Sequence, residues 1–188
     1  MQPSVSVVIP VLNEERFLAQ SVNAILNQNY DGQIEVILAL GPSIDNTNQV
    51  AQDLAKDNRV KLIQNPTGKT AAALNNAIKN SKFEIIVRLD GHAIVDENYV
   101  KNAIESLNQT NADNVGGLMK AEGISDFEKS VAAAMTSKFG VGNAPFHIGG
   151  KPGEVDTVYL GTFKKSALER VGYFDESFVR AQDWEMNY

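Results

Sequence analysis

Four times within the first 110 residues, a short run rich in β-branched residues gives way to apolar residues at helical spacing. Val5-Ser6-Val7-Val8-Ile9-Pro10, Ile34 to Leu40, Val60 to Ile63 and Phe83 to Leu89 read as strands. The stripes Leu18-Val22-Ile25-Leu26, Val50-Leu54-Ala55, Leu74-Ala77-Ile78 and Tyr99-Val100-Ala103-Ile104-Leu107 each read as one buried face of a helix. Strands alternating with helices are joined by right-handed crossovers, which predicts an α/β fold with a mostly parallel sheet covered on both faces. Asn13 is predicted to cap the first helix, with Glu14 and Glu15 in its first turn, and Asp45-Asn46-Thr47 to open the second. Farther along, Glu154 to Leu160 returns to strand character and Lys165 to Val171 to a short helix. The intervening stretch, with Gly140, Gly142, Pro145, Gly149, Gly150, Pro152 and Gly153, has no periodicity and reads as a functional loop.

Composition narrows the class of function. A chain of 188 residues buries about 70% of its unfolded surface, enough for one core without cross-links. There is no cysteine, so disulfides and thiolate zinc sites are excluded, and two histidines leave only a carboxylate-rich metal site. The same absence points to the cytoplasm. A net charge of −6 argues against a general nucleic-acid binder. No apolar run reaches the roughly 20 residues of a membrane span, and the N-terminus has no leader pattern, so a soluble chain is expected. Asp183-Trp184-Glu185 reads as the opening of another helix just before Tyr188, which implies a truncated C-terminus.

In open α/β sheets, ligands bind beyond the carboxyl ends of the strands. The residues that fall there are Pro10 to Glu14, Gly41 to Asp45, Asn65 to Lys69 and Arg88 to His92. Asp90 and His92 lie two apart at a strand end, where a carboxylate and an imidazole suit Mn²⁺, and Mg²⁺ less well. Taken alone, so short a motif as D-x-H reads first as a polar strand-to-loop turn, and its place at the strand end favours the functional reading. Lys69 follows Gly68 before a helix N-terminus, a place that holds phosphate, although a solvated lysine beside a turn glycine has the same pattern. The spacing is not that of a Walker A loop. Asp183 and Glu185 cannot share one helix face, so only one of them can point into a site; both also suit an acidic first turn beside a core tryptophan. His147 reads as a surface residue of the glycine-rich loop.

The ordered set V-S-V-V-I-P-V-L-N-E-E, S-I-D-N-T, G-K-T-A-A-A-L-N, R-L-D-G-H, V-D-T-V-Y-L-G-T-F, G-Y-F-D-E and Q-D-W-E resembles the family 2 inverting glycosyltransferases of GT-A fold. The nearest branch is that of bacterial exopolysaccharide (succinoglycan-type) synthesis, and the likeness runs from residue 4 to 188. It implies one domain, with a nucleotide-sugar-binding half over 1–120 and an acceptor-side half over 121–188 that contains loop 140–153. Pro10, Asn13, Glu14, Asp45, Gly68, Lys69 and Asp90 would bind the nucleotide sugar. Asp90 begins the element that takes a divalent cation, Mn²⁺ or Mg²⁺, with His92 beside it. Asp183 would be the catalytic base, and Gly161-Thr162-Phe163 would form the acceptor-side strand end.

The chain departs from the family pattern in three places. Leu40-Gly41 stands where relatives carry an acidic pair that reads uracil, so a UDP donor is not implied. His92 replaces the second aspartate of D-x-D, and Gln182 replaces a glutamate. The resemblance therefore implies transfer from a nucleotide-diphosphate sugar to a saccharide or lipid-linked saccharide, in polysaccharide or cell-envelope glycan synthesis. Such an enzyme would work in the cytoplasm or at the inner membrane face. The alternative is a nucleotide-sugar-binding module without turnover inside a larger assembly. A nucleotidyltransferase would need a glycine-rich basic loop after the first strand, where Val11-Leu12-Asn13-Glu14-Glu15 stands.

Overall fold

The computed structural model describes residues 2–141, 145–149 and 152–187. Its first part alternates as read: β1 (Val5–Val11), α1 (Leu18–Leu26), β2 (Ile34–Leu40), α2 (Thr47–Leu54), β3 (Val60–Gln64), α3 (Thr70–Lys79), β4 (Ile85–Arg88) and α4 (Tyr99–Thr110). Then follow β5 (Asn114–Gly117), α5 (Asp126–Met135), α6 (Lys138–Val141), α7 (Pro145–Ile148), β6 (Tyr159–Lys164), α8 (Lys165–Val171) and α9 (Gln182–Asn187). Among the described residues, six strands form one sheet in the order β3-β2-β1-β4-β6-β5. The first four are mutually parallel, and β6 runs antiparallel between β4 and β5.

The core explains why this half is regular. Six of the seven residues of β1 are buried, because helices cover both faces of the parallel sheet. One apolar cluster joins α1 and α4 to Val5, Val7 and Ile9; a second joins α3 to Val8, Ile37 and Ile86. Pro10 is tolerated in a central strand because its missing N–H faces the side where β4 has already ended, after the pair Val8↔Arg88. Since β2 and β3 extend from one side of β1 while β4 lies on the other, the strand order reverses at β1. A crevice therefore opens beyond the carboxyl ends of β1 and β4.

Three local expectations are corrected. Asn13 does not cap α1: it sits in the left-handed region at φ 56°, and the helix begins only at Leu18. Glu154 to Val158 is irregular, and the strand starts at Tyr159 and runs to Lys164, where it finds β4 and β5 as neighbours. The glycine-rich stretch is not all loop, since α6 and α7 occupy part of it. Its residues 142–144, 150 and 151, with Gly142 and Gly150 among them, lie outside the described residues, as do Met1 and Tyr188.

Candidate active site

The loops after β1 and β2 are laced together by their own polar groups. The Asn13 N–H donates to Ser43 Oγ at 3.0 Å, and Asn13 Oδ1 accepts from the Ile44 N–H at 2.9 Å. The Glu14 N–H donates to Thr47 Oγ1 at 2.7 Å. Asp45 Oδ1 accepts from the Thr47 hydroxyl at 2.5 Å and from its N–H at 3.0 Å, and the hydroxyl above all holds the Asp45 carboxyl below its ordinary range. Gly41 sits 3.2 Å from the Val11 carbonyl and 3.5 Å from Gly68 Cα, measured from where its Cβ would be. A side chain at position 41 would need its neighbours, Leu12 and the Val11 carbonyl, to give by a few tenths of an ångström.

After β3, Gly68 turns the chain at φ 67°, a conformation that favours glycine. Asn65, 5% exposed, accepts from the Thr67 hydroxyl at 2.7 Å and donates to the Lys69 carbonyl at 3.1 Å. This fixes the entry to α3, whose first N–H groups face outward with the positive end of the helix dipole. The Lys69 ammonium donates to the Glu176 carbonyl at 3.3 Å, bringing the segment after α8 to the same place.

The end of β4 carries the charged centre. Arg88 and Asp90, two apart, point the same way, and Arg88 Nη2 lies 2.9 Å from Asp90 Oδ1. Arg88 Nη1 pairs with Asp183 Oδ1. Burial works against the Arg88 charge, but Asp90 and Asp183 together outweigh it and raise its pKa. His92 turns to the other wall, its Nδ1 2.8 Å from Glu14 Oε1, and this hydrogen bond raises the imidazole pKa above its ordinary value. Gly91 permits the approach: a Cβ there would lie 2.8 Å from Glu14 Cγ.

These pieces surround one cavity of about 340 Å³. Pro10, Glu14, Gly68, Lys69, Asp90 and His92 line it, together with Arg88 and Gln182. Asn13 and Asp45 stand behind this wall in the loop network, and Asp183 reaches it through Arg88. Sequence reasoning placed Asn65 and Arg88 in the segments at the strand ends and noted Gln182 as a departure, but gave none of them a role. For Arg88 the available signal was its place at the end of β4, two residues before Asp90.

Among the described residues, no group of three or more His, Asp or Glu is gathered to hold a metal ion. The donor chemistry at the cavity is a carboxylate at Asp90, a quarter exposed, with the His92 imidazole and the Glu14 carboxylate nearby. Such a set fits an ion whose shell is completed by substrate phosphates, not one caged by protein alone.

Comparison with known proteins settles the family. The sequence profile of Glycosyl transferase family 2 matches residues 6–172. The chain belongs to glycosyltransferase family 2. Among its family 2 relatives, the succinoglycan biosynthesis protein ExoA of Rhizobium meliloti (strain 1021) is 30% identical over 97% of this chain and 56% of that protein. The fold is that of GT-A enzymes in solved structures. TarS 1-349 of S. aureus in complex with UDP-GlcNAc superimposes with a TM-score of 0.74 at 19% identity, over 98% of this chain and 52% of that one. The mannosyltransferase PcManGT of Pyrobaculum calidifontis, in complex with GDP-Man and Mn²⁺, gives 0.74 at 22% identity, over 99% and 51%. This glycosyltransferase chain thus spans little more than half the length of these relatives.

Proposed function

We propose that this family 2 glycosyltransferase moves a sugar, with inversion and with a divalent cation, from a nucleotide-diphosphate sugar to an acceptor hydroxyl. The acceptor is a saccharide or a lipid-linked saccharide in polysaccharide or cell-envelope glycan synthesis. The observation that carries this reading is the meeting of Asp90 and Asp183 on Arg88, at the wall of one cavity. The nucleotide sugars held by TarS and PcManGT, and the Mn²⁺ of the latter, support the donor class. No described helix is long and apolar enough to cross a membrane; we place the reaction in the cytoplasm or at the inner face of the cell membrane, as the family resemblance implies.

In this mechanism the donor diphosphate lies against the first N–H groups of α3, with the Lys69 ammonium beside it. The Asp183 carboxylate takes the acceptor hydroxyl proton as that oxygen attacks the anomeric carbon, opposite the departing diphosphate. The acceptor is the nucleophile, so one carboxylate suffices, in contrast to the facing pair of glycoside hydrolases. Asp90 and His92, with diphosphate oxygens, would hold Mn²⁺ or Mg²⁺, which when bound neutralises charge growing on the leaving group.

The Asp183→Asn variant tests the base. Transfer should fall about 10²–10⁴-fold while calorimetric donor affinity stays close to that of the parent protein, and full activity would reject the assignment. A thermal-shift panel of UDP-, GDP- and dTDP-sugars, with and without Mn²⁺, identifies the donor. Saturation at a hundredfold excess over Kd adds about 2.7 kcal/mol of stability. Donor binding with neither transfer nor hydrolysis would assign the chain instead to a binding module.

A further inference from the structure

We propose that Arg88 is a positioning residue: it sets the distance between the donor-side carboxylate Asp90 and the base Asp183, and so ties α9 to the end of β4. The guanidinium is mounted on rigid backbone. Arg88 is the last residue of β4, in register with Val8 of the central strand, and the next N–H, that of Leu89, donates to the Val8 carbonyl at 3.1 Å. The residue is 5% exposed and divides its two Nη atoms between the two carboxylates. Its Nε is buried and has no hydrogen-bond partner among the described residues. A buried ion pair is weak evidence of a contribution to stability, and an orphaned donor weakens that case further. The arrangement is better explained by geometry. The planar fork holds two carboxylates at one separation, which a lysine ammonium cannot do.

Arg88 is what joins Asp183 to the end of β4. Helix α9 has six residues and buries none of them. It is entered through Ala181 at φ 60°, an unfavourable conformation for a residue with a Cβ. Elsewhere along the helix, Met186 packs against the second core cluster and Asn187 shares a hydrogen bond of 2.6 Å with Asn114. Without the guanidinium, Asp90 and Asp183 would face each other as like charges and move apart.

The inference rests on the transferase reading only for its kinetic arm, so its test has two arms. Arg88→Lys and the apolar Arg88→Met are compared with Asp183→Asn and with the Arg88→Lys/Asp183→Asn double variant, each checked for a cooperative thermal transition. In amide hydrogen exchange, residues 181–187 should open about tenfold faster in each single variant and no faster in the double, with α3 unchanged. In turnover, Arg88→Lys should lose about 10²-fold in kcat, and nothing further once Asp183 is Asn. Unchanged exchange across α9 in both Arg88 variants would overturn the proposal, as would independent, multiplying losses in the double variant. If the parent protein transfers no sugar, the functional reading fails alone, and the exchange arm still decides the role of Arg88.

Discussion

Two regions of the molecule are built in opposite ways. The cavity stands on the parallel sheet, where β1 is almost wholly buried and α3 buries seven of its ten residues. In the stretch that follows α4, no described residue between 108 and 159 is buried, and α5 covers none of its ten. Capping follows the inverse rule. Helices α1, α2, α3, α4 and α8 have no side-chain cap, whereas α5 carries a complete capping box between Ser125 and Glu128. Packing makes local hydrogen bonds dispensable on one side, and their presence substitutes for packing on the other.

The largest effect should come from the packed side. Leu74 is fully buried at the centre of α3. Leu74→Ala removes that packing and leaves a cavity, so a loss of about 2–5 kcal/mol is expected in urea unfolding. A shift below about 1 kcal/mol would mean that α3 is held by something other than its core face.

A smaller effect is expected where the two sides are stitched together. Asn75, 4% exposed, donates to the Phe174 carbonyl at 2.8 Å and to Glu176 Oε1 at 3.0 Å, while accepting from the Phe174 N–H at 2.9 Å. It therefore acts as a substitute strand for the segment leading to α9. Asn75→Ala leaves a buried N–H and carbonyl unpaired and should cost about 1–3 kcal/mol. Because the lost bonds are at Phe174, exchange should accelerate at residues 173–177 before it does in α3 itself. Equal acceleration in both would dissolve the distinction.

The contrast between the two regions also explains what was legible in the sequence. Strands of the packed half announce themselves by composition, since burial on both faces demands an unbroken apolar run, and the convergence of their ends follows from parallel topology. The chain after α4 offers no such signal. The sequence of β5, Asn-Val-Gly-Gly, is strand only because β6 lies beside it. Glu154 to Leu160 read as a strand, but pairing with β4 and β5 places it at Tyr159–Lys164. Asn13 carried a capping signal that its bonds to Ser43 and Ile44 override. Among the site residues, Asp90 and Lys69 were readable from their places at strand and helix ends. Asp183 was readable only by resemblance, because nothing local links it to a strand end, and Arg88 is the residue that makes the link.

The smallest effect tests whether α5 really depends on its cap. Ser125 Oγ accepts from the Glu128 N–H at 3.2 Å, and Glu128 Oε2 accepts from the Ser125 and Ile124 N–H groups, each at 2.8 Å. Ser125→Ala should cost about 1 kcal/mol of local helix stability, visible as α5 chemical shifts moving toward coil while those of α3 stay fixed. The Glu128 carboxyl is held down at about 2, first by the Ser125 N–H and then by that of Ile124. A carboxyl depressed in the folded state stabilises fully above its unfolded value of 4.5 and loses that contribution as pH falls toward about 2. Acid titration should therefore loosen α5 within that window, and Glu128→Gln, which cannot ionise, should flatten the pH dependence. If α5 keeps its helical shifts through the window in the parent protein, the cap is not what holds the helix.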